Sequence, residues 1–284
     1  MKTVKNTTKD DYIRSVCKVI LYIEQNYTDE LNIEDLARVG SFSKYHFHRI
    51  FKAIVGISLG DYVRRVRLQS TTLKFLTNTK ITQIAMISGY ETNASFSKAF
   101  KKHFGMTPKE FAKNAKVIKG LKMLEPKFVK LENIEILYVR KTGDYRISSG
   151  YAWESLMGFA YKNKIKNKKN LMGKEAMMFG IGHDNPHVTD VDKLRYDACI
   201  TWDDKSVTPE GEVLNKIIEG GNYAMFKHQG PYENLIRTYD GVSNWIVESG
   251  TQLRDLPIIE KYLNRDPRRT KPENLKTEIY IPVV

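Results

Sequence analysis

Two groups of basic and polar side chains recur at helical spacing in the first third of the chain. In both groups the polar positions lie opposite a stripe of buried phenylalanines on one helix. Phosphates attract cations, and base edges in the major groove are read by bidentate donors and small polar groups. The residues predicted to contact DNA are Lys44, Tyr45, His48, Arg49 and Lys52 in the first group and Asn93, Ser97, Lys98, Lys101 and Lys102 in the second. The alternative is a helical bundle with solvated basic faces.

A single carboxylate, Glu260, has neighbours that suit cation binding. Strand alternation places Ile258, Glu260 and Tyr262 on one face. Burying a charge is costly unless something pairs with it, and an aromatic-lined site with one carboxylate attracts lipophilic cations. The aromatic residues predicted to line this site are Tyr145, Trp153, Phe226, Tyr232, Trp245 and Tyr262. The alternatives for Glu260 are a rim position paired with an Arg or Lys and a general base in a hydrolase. Tyr145 and Tyr232 could instead pack only against their own turns.

The remaining candidates for chemistry are weak. Gly180-Ile181-Gly182 lacks the third glycine and the following helix of a nucleotide-binding loop. Pro186 prevents His183 and His187 from sharing one helical turn, which argues against a metal site. Because no Ser/His/Asp or Cys/His set can be recognised, we expect no catalytic residue, no metal and no cofactor.

The basic groups belong to two copies of one pattern between Leu31 and Lys113. Matching positions are 48 residues apart in the first part of the pattern and 49 apart in the second, so the second copy has one extra residue in its turn. Each copy reads as a short helix, a turn and a longer helix. In the first copy Gly40 would allow a sharp turn, Ser43 would cap the longer helix and Gly56 would end it. Two helix-turn-helix units are therefore predicted.

Two further helices are predicted around these units. The first runs from Tyr12 to Tyr27 and should pack across the first unit. The second, from Leu59 to about Leu76, connects the two units, and Arg64, Arg65 and Arg67 project from it. A connecting helix of about 18 residues would be about 27 Å long. This is near the ~34 Å between successive major-groove faces, so one monomer could read adjacent grooves of a bent duplex.

The pattern changes to that of strands after Pro126, and the rest of the chain is also duplicated. Gly143-Asp144-Tyr145 is repeated as Gly230-Pro231-Tyr232, each between a strand and a helix that carries a tryptophan. Asp184-Asn185-Pro186 is repeated as Arg265-Asp266-Pro267, each followed by a strand. The predicted fold class is α+β. An all-α double helix-turn-helix domain precedes an α/β domain of two pseudo-symmetric βαββ units, with a ligand site between the halves.

Charge separates the two parts of the chain. Residues 1–120 carry a net charge of +11 and residues 121–284 only +2, of a total of +13. The positive potential therefore belongs to the helical part, which indicates a polyanionic partner there. The two cysteines, Cys17 and Cys199, lie in different predicted domains and imply no disulfide framework. We find no secretory signal and no apolar run long enough to span a bilayer, and we expect a cytoplasmic protein without a membrane partner.

The segment from Leu31 to Lys113 resembles the AraC/XylS-type DNA-binding domain. The resemblance is carried by Gly89-Tyr90 and by the run from Phe96 to Phe111. Residues from about 125 to 284 look like the GyrI-like small-molecule-binding domain. Here it is carried by Gly230-Pro231-Tyr232, Trp245, the run from Pro257 to Tyr262, Asp266-Pro267 and the run from Thr277 to Pro282. This order of domains resembles that of the Rob-type regulators.

The resemblance implies a transcriptional regulator of the multidrug-response type. Its expected domains are residues 1–115, a linker at 116–126 and residues 127–284. The expected partners are double-stranded promoter DNA, a small lipophilic cationic or aromatic effector, and RNA polymerase. Because some GyrI-like proteins resemble hydrolases, an enzyme acting on a toxic small molecule is one alternative, and a protein-interaction module is another.

Overall fold

The computed structural model describes residues 3–77, 79–115, 124–165, 176–186, 189–264 and 266–284, without the side chains of 3–10, 44–46, 114 and 115. The chain divides into two compact units. The first consists mainly of helices. The second contains one eight-stranded sheet and two long helices.

The helical unit contains both predicted helix-turn-helix pairs, α2–α3 and α5–α6. The turn between the helices is one residue longer in the second pair, as predicted. The first helix begins earlier than predicted, at Thr3. The helices are α1 (Thr3–Gln25), α2 (Ile33–Val39), α3 (Lys44–Val55), α4 (Leu59–Gln69), α5 (Ile81–Ile87), α6 (Asn93–Phe104) and α7 (Pro108–Ala115).

Each pair is built around a chain of buried aromatic rings, and the two chains of contacts match. A ring in the turn meets the first phenylalanine of the longer helix, that ring meets the next one, and the last contact reaches the following helix. The contacts, with centroids 5.4–5.8 Å apart, are Phe42–Phe47, Phe47–Phe51 and Phe51–Tyr62 in the first pair and Tyr90–Phe96, Phe96–Phe100 and Phe100–Phe111 in the second. The repeat read from the sequence is thus a repeat of packing.

The turns agree with the prediction except at Gly40 and at Ser43, which stands at the N-cap of α3 without a capping hydrogen bond from its side chain. Gly56 and Gly105 end α3 and α6 with left-handed backbone, at φ of +84° and +73°. Gly40 is right-handed, with φ of −81°, and the left-handed residue of that turn is Ser41, with φ of 57°. Gly40 serves close packing, because a Cβ there would lie 2.8 Å from the ring of Phe42.

The predicted connecting helix is too long. The helix α4 ends at Gln69, and Leu73–Leu76 forms a separate 3-10 turn. Three consecutive hydroxyls turn back on the helix, because Ser70, Thr71 and Thr72 donate to the carbonyls three residues earlier at 2.8, 2.6 and 2.9 Å. Such bonds compete with helix continuation. At 1.5 Å per residue α4 is about 16 Å long, so the length argument for adjacent grooves does not hold.

Two of the three arginines on α4 do not project outward as predicted. Arg65 is 6% exposed, and the half-buried Arg67 donates to backbone carbonyls. Only Arg64 is exposed, and it pairs with Asp61 one turn earlier at 2.6 Å. The long aliphatic stems of arginine can be buried when the head finds acceptors, which polarity alone does not reveal.

The second unit contains two copies of a strand-helix-strand-strand motif, as predicted. The first copy is β2–α8–β3–β4 and the second is β6–α9–β7–β8, with β1 and β5 as additional strands. The elements are β1 (Lys127–Leu131), β2 (Ile134–Thr142), α8 (Tyr145–Lys162), β3 (Met178–Gly182), β4 (Arg195–Thr201), β5 (Leu214–Ile218), β6 (Gly221–Gln229), α9 (Leu235–Ser249), β7 (Ile259–Tyr262) and β8 (Lys276–Pro282).

The sheet order reflects the duplication. The strands run β1-β6-β8-β7-β3-β4-β2-β5, so the two copies meet where β7 pairs with β3. The strand β1 precedes the first copy in the chain but pairs with β6 of the second copy. The strand β5 precedes the second copy but pairs with β2 of the first. The helix α8 packs on β2 and β4, and α9 packs on β6. The α+β class and the two pseudo-symmetric halves are therefore confirmed.

Candidate ligand site and DNA-binding faces

Glu260 lies on β7 at the junction of the two halves. It pairs with Gly180 of β3 on one side and with Ile279 of β8 on the other. Its side chain shares a sheet face with Tyr262, as alternation predicts, and α9 contributes Tyr239 to the same site. The carboxylate is half-buried.

Both carboxylate oxygens of Glu260 accept a hydrogen bond from a tyrosine. The hydroxyl of Tyr239 donates to Oε1 at 2.7 Å, and that of Tyr262 donates to Oε2 at 2.6 Å. The Tyr262 oxygen also lies 2.8 Å from the Tyr196 hydroxyl, to which Trp153 Nε1 donates at 3.1 Å. A tyrosine has one proton to donate. Since that of Tyr262 goes to Glu260, Tyr196 must donate to Tyr262, and the chain of bonds runs in one direction from Trp153 to Glu260.

Gly180 provides the space in which these hydroxyls meet. A Cβ at this position would lie 2.4 Å from the Tyr262 hydroxyl and 2.5 Å from the Tyr196 hydroxyl. Any larger residue would therefore push the two phenols apart. The sequence showed Gly180 only as part of an incomplete nucleotide-binding loop, and its role is in this packing.

In the described part of the chain Glu260 forms no salt bridge, although a charge on His228 acts to lower its pKa. No Lys or Arg there forms an ion pair with it, so the alternative of a rim glutamate with a salt bridge does not apply. Burial raises the pKa of Glu260 above its ordinary value, and the hydroxyls of Tyr262 and Tyr239 offset part of this rise. Burial and the Glu260 charge together raise the pKa of Tyr232 to about 12. The site therefore holds neutral phenols around a carboxylate that is costly to ionise.

Three of the predicted aromatic residues gather around Glu260. The ring of Tyr262 meets that of Trp153 at 5.7 Å and that of Tyr232 at 5.4 Å, both edge to face. These rings come from β7, from α8 of the first half and from the turn before α9. Both halves thus contribute to the site, as expected from the duplication.

Of the other three predicted aromatics, Phe226 and Trp245 lie in packing positions, and Tyr145 contacts the ring of Tyr196 with centroids 6.1 Å apart. The hydroxyl of Tyr145 donates within its own half, with the carbonyls of Asp184 and Arg195 at 2.8 and 3.1 Å. Phe226 and Trp245 are 1% and 6% exposed in the core between β6 and α9, with their rings 5.2 Å apart. A ligand contact by any of the three stays a prediction.

Sequence reasoning missed Tyr196 and Tyr239. Alternation on β4 could have placed Tyr196 on the face of Ala198, which pairs with Gly180. The approach of Tyr239 depends on how α9 lies across the sheet, which its own pattern does not specify. Tyrosine is also common in cores, so its identity alone is a weak signal.

A second polar cluster lies on the opposite face of the sheet. Asp197 is 0% exposed and is contacted by Arg140 at 2.6 Å, His183 at 2.7 Å and Lys216 at 2.5 Å. Although burial acts to raise it, the three neighbouring cationic groups hold the pKa of Asp197 well below its usual range. The cluster ties β2, β4 and β5 together. No group of three or more metal-ligating side chains was found among the described residues, which exclude His187 of the weak histidine pair.

The predicted DNA-contacting side chains of α3 lie on its outer face where they are described. His48, Arg49 and Lys52 are exposed, and Phe47 and Phe51 on the other side are 0% exposed. The backbone of Lys44 and Tyr45 begins the helix, but their side chains lie outside the described residues. This face can offer a cation to phosphates and a fork of donors to a base edge.

The corresponding face of α6 is similar. Asn93, Lys98, Lys101 and Lys102 are exposed, and Ser97 is half-buried. Thr92 caps the helix by accepting from Ser95 N at 3.1 Å, which leaves Asn93 at the first helical position. Both longer helices thus carry an apolar inner face and a basic outer face. These contacts with DNA stay predictions.

Comparison with known proteins identifies both units. Residues 124–284, more than half of the chain, match the GyrI-like small molecule binding domain. The chain belongs to this family. Residues 36–114 match a helix-turn-helix domain of the AraC type. The protein is a DNA-binding transcriptional regulator with a small-molecule-binding domain.

Relatives match either one unit or the whole chain. The HTH-type transcriptional activator AarP of Providencia stuartii is 32% identical over 39% of this chain and 84% of its own. The transcriptional regulator Rob of Salmonella typhimurium is 24% identical over 93% of this chain and 96% of its own. YbfP of Bacillus subtilis, an uncharacterized HTH-type transcriptional regulator, is 30% identical over 60% of this chain and 55% of its own. In the described part of the chain no helix is long and apolar enough to cross a membrane.

Proposed function

We propose that the GyrI-like unit senses a lipophilic organic cation at Glu260 and does not turn it over. The supporting observation is the carboxylate itself, which is partly removed from water with two phenol donors and no Lys or Arg ion pair in the described residues. A negative charge in such a setting lacks full compensation, and its attraction for an incoming cation is stronger than in bulk water.

The surrounding rings favour a cation that is apolar and has delocalised or shielded charge. Trp153 and Tyr232 pack against the ring of Tyr262, whose hydroxyl donates to the carboxylate, and cations are attracted to the faces of such rings. Each oxygen of Glu260 already accepts a hydroxyl, so a ligand would be held by charge and ring contacts more than by new hydrogen bonds to the carboxylate.

The same hydrogen bonds argue against the hydrolase alternative. A general base must reach the proton that it removes. Here both oxygens already accept a hydrogen bond, from Tyr239 and Tyr262, so neither is left open to the proton of a substrate or a water. Sensing therefore accounts for the geometry better than turnover does.

For the helical unit we propose that α3 and α6 enter adjacent major grooves of one duplex. The matched packing of the two pairs supports this, because equivalent scaffolds present two equivalent basic faces on a single chain. The proposed domains are residues 1–115 and 127–284, joined by 116–126. Contact with RNA polymerase stays a prediction.

The experiment is a titration of the full chain with a quaternary ammonium dye and with a neutral analogue of the same shape, with chromatography of the dye afterwards. We expect saturable binding of the cation, much weaker binding of the neutral analogue, and an unchanged dye. Conversion of the dye would favour the enzyme, and no binding of either compound would favour the interaction module. DNA affinity, measured by gel shift with a selected site, should fall steeply between low and moderate salt, because many Lys and Arg contacts release counterions.

A further inference from the structure

The guanidinium of Arg67 joins the two helix-turn-helix pairs. Its Nε donates to the carbonyl of Tyr27 at 2.7 Å and its Nη2 to that of Asp29 at 2.9 Å, both in the loop between α1 and α2. Its Nη1 donates to the carbonyl of Gly89 at 3.3 Å, in the turn between α5 and α6. One side chain of α4 therefore holds the loop that leads into the first pair and the turn within the second pair.

We propose that Arg67 is a positioning residue that fixes the two recognition helices relative to each other and so sets the spacing of the DNA site. Arginine suits this task because its planar fork offers five N–H donors in fixed directions. A lysine has a single ammonium on a flexible stem and cannot reach three divergent carbonyls with the same geometry.

The turn that carries Gly89 is built around this guanidinium. Gly89 has φ of +75°, and a Cβ on it would lie 3.0 Å from Cζ and Nε of Arg67. This turn leads directly into α6, one of the two proposed recognition helices. The Tyr27–Asp29 loop leads into α2, which packs with α3. A shift of the guanidinium would therefore move both the loop that leads into α2 and the turn that leads into α6.

The break in α4 gives this clasp its importance. If the connecting helix continued to Leu76, a rigid rod could set the separation of the two pairs. Instead α4 ends at Gln69, and the chain bends through the hydroxyl-bonded turn at Ser70–Thr72. Lateral contacts from α4 must then position the second pair, and the half-buried Arg67 makes contacts of this kind on both sides. Gln69 adds a link to α6, where its Nε2 lies 3.2 Å from His103 Nε2.

The consequence for DNA binding rests on the proposed reading of adjacent grooves. Adding one base pair between the two halves of the site rotates one half against the other by about 35° and moves it by about 3.4 Å. A protein whose recognition helices are held in place by Arg67 cannot adjust to the altered spacing and binds the altered site weakly. A variant without these contacts can adjust and loses less affinity. Arg67 should therefore make the protein discriminate between spacings.

The test compares full-length wild type with Arg67→Met, Arg67→Lys and the control Arg64→Met. Met keeps much of the apolar stem and removes all donors, and Arg64 is the exposed arginine of the same helix, paired with Asp61. Affinity is measured by gel shift on a selected site and on versions with one base pair inserted or deleted between its halves. The readout is the ratio of the affinities for the two spacings. A partly unfolded preparation weakens binding to every site by the same factor and leaves this ratio unchanged.

For wild type we expect a loss of at least about tenfold per altered base pair, which corresponds to about 1.4 kcal/mol. Arg67→Met should reduce this penalty to about threefold or less, Arg67→Lys should give an intermediate penalty, and Arg64→Met should keep the full penalty. Wild-type spacing ratios in both Arg67 variants would overturn the role of Arg67. Indifference of wild type itself to spacing would instead overturn the reading of adjacent grooves, so the two failures can be told apart. Should Arg67→Met lack the helical spectrum of wild type, Arg67→Lys decides alone.

Discussion

The two halves of the GyrI-like unit share one fold and differ in chemistry where they meet. The pair Gly180–Glu260 lies at their junction, and its neighbours extend the difference, since Gly182 in the first half corresponds to Tyr262 in the second. Two glutamates at this point would repel each other at close range, and two glycines would provide no charge. Each half of the duplicated fold thus contributes one side of the candidate site. The two halves differ at the pair Gly180–Glu260, where only the second half has a carboxylate.

The two helix-turn-helix pairs show the opposite case. Both copies keep an apolar inner face and a basic outer face, as the proposed reading of two similar grooves of one duplex requires. The proposed ligand, a small cation, is a single object, and only one half supplies the carboxylate of the candidate site. Under these two proposals, a partner with two equivalent sites suits a symmetric duplication, and a partner with one site suits an asymmetric one.

The largest expected effect is that of Glu260→Gln, which removes the charge from one half and keeps the shape. Cation affinity should fall by about 3 kcal/mol, within the range for close charge pairs. Calorimetric titration with the quaternary ammonium dye measures it, and a gel shift should show unchanged DNA binding. The control is Glu278→Gln, which alters a carboxylate on the other face of the sheet that accepts from Tyr280 at 2.6 Å. Equal dye affinity in wild type and Glu260→Gln would return Glu260 to a structural role.

Gly180→Ala tests the other member of the pair. The added methyl would collide with the hydroxyls of Tyr196 and Tyr262, and overpacking of this kind costs about 1–3 kcal/mol of stability. We expect a lower Tm and a dye affinity reduced by about tenfold, since the tyrosines that hold Glu260 would be displaced. Gly182→Ala is the matched control, because its Cβ would lie 3.4 Å from the Tyr145 hydroxyl and needs little adjustment. Similar losses in both variants would contradict the special role of Gly180.

The pH dependence of binding should follow from the raised pKa of Glu260. Only the ionised carboxylate attracts a cation, and burial moves its protonation above the ordinary value of 4.5. As pH falls through this raised pKa the affinity should decrease, by about tenfold per unit once the group is mostly protonated. Glu260→Gln should show no such decrease. A wild-type affinity that is flat down to the ordinary range of carboxyl groups would contradict this assignment.

The smallest expected effects come from the two phenol donors. Tyr239→Phe removes one hydrogen bond to Glu260 and should lower the stability of the folded protein by about 1 kcal/mol. Tyr262→Phe should lower it more, because it also removes the acceptor of the Tyr196 hydroxyl. Either change should move the pH midpoint of dye binding upward, since each hydroxyl lowers the pKa of Glu260. If neither moved the midpoint, the hydrogen bonds would have no electrostatic role in the site.

Much of this architecture could be read from the order of residues. The aromatic spacing of Phe47, Phe51, Phe96 and Phe100 specifies two helix-turn-helix pairs, because helical periodicity is a local property. Alternation places Glu260 with Tyr262 for the same reason, and the repeated Gly143 and Gly230 turns mark two equivalent halves.

Contacts between distant segments were decided only by the tertiary structure. The meeting of Tyr196, Tyr239 and Glu260 depends on how β4, α9 and β7 pack, and no periodicity encodes that. The sequence likewise predicts an outward Arg67 on an uninterrupted helix. The folded chain turns its guanidinium toward carbonyls 40 and 22 residues away, because buried carbonyls need donors wherever along the chain those donors come from.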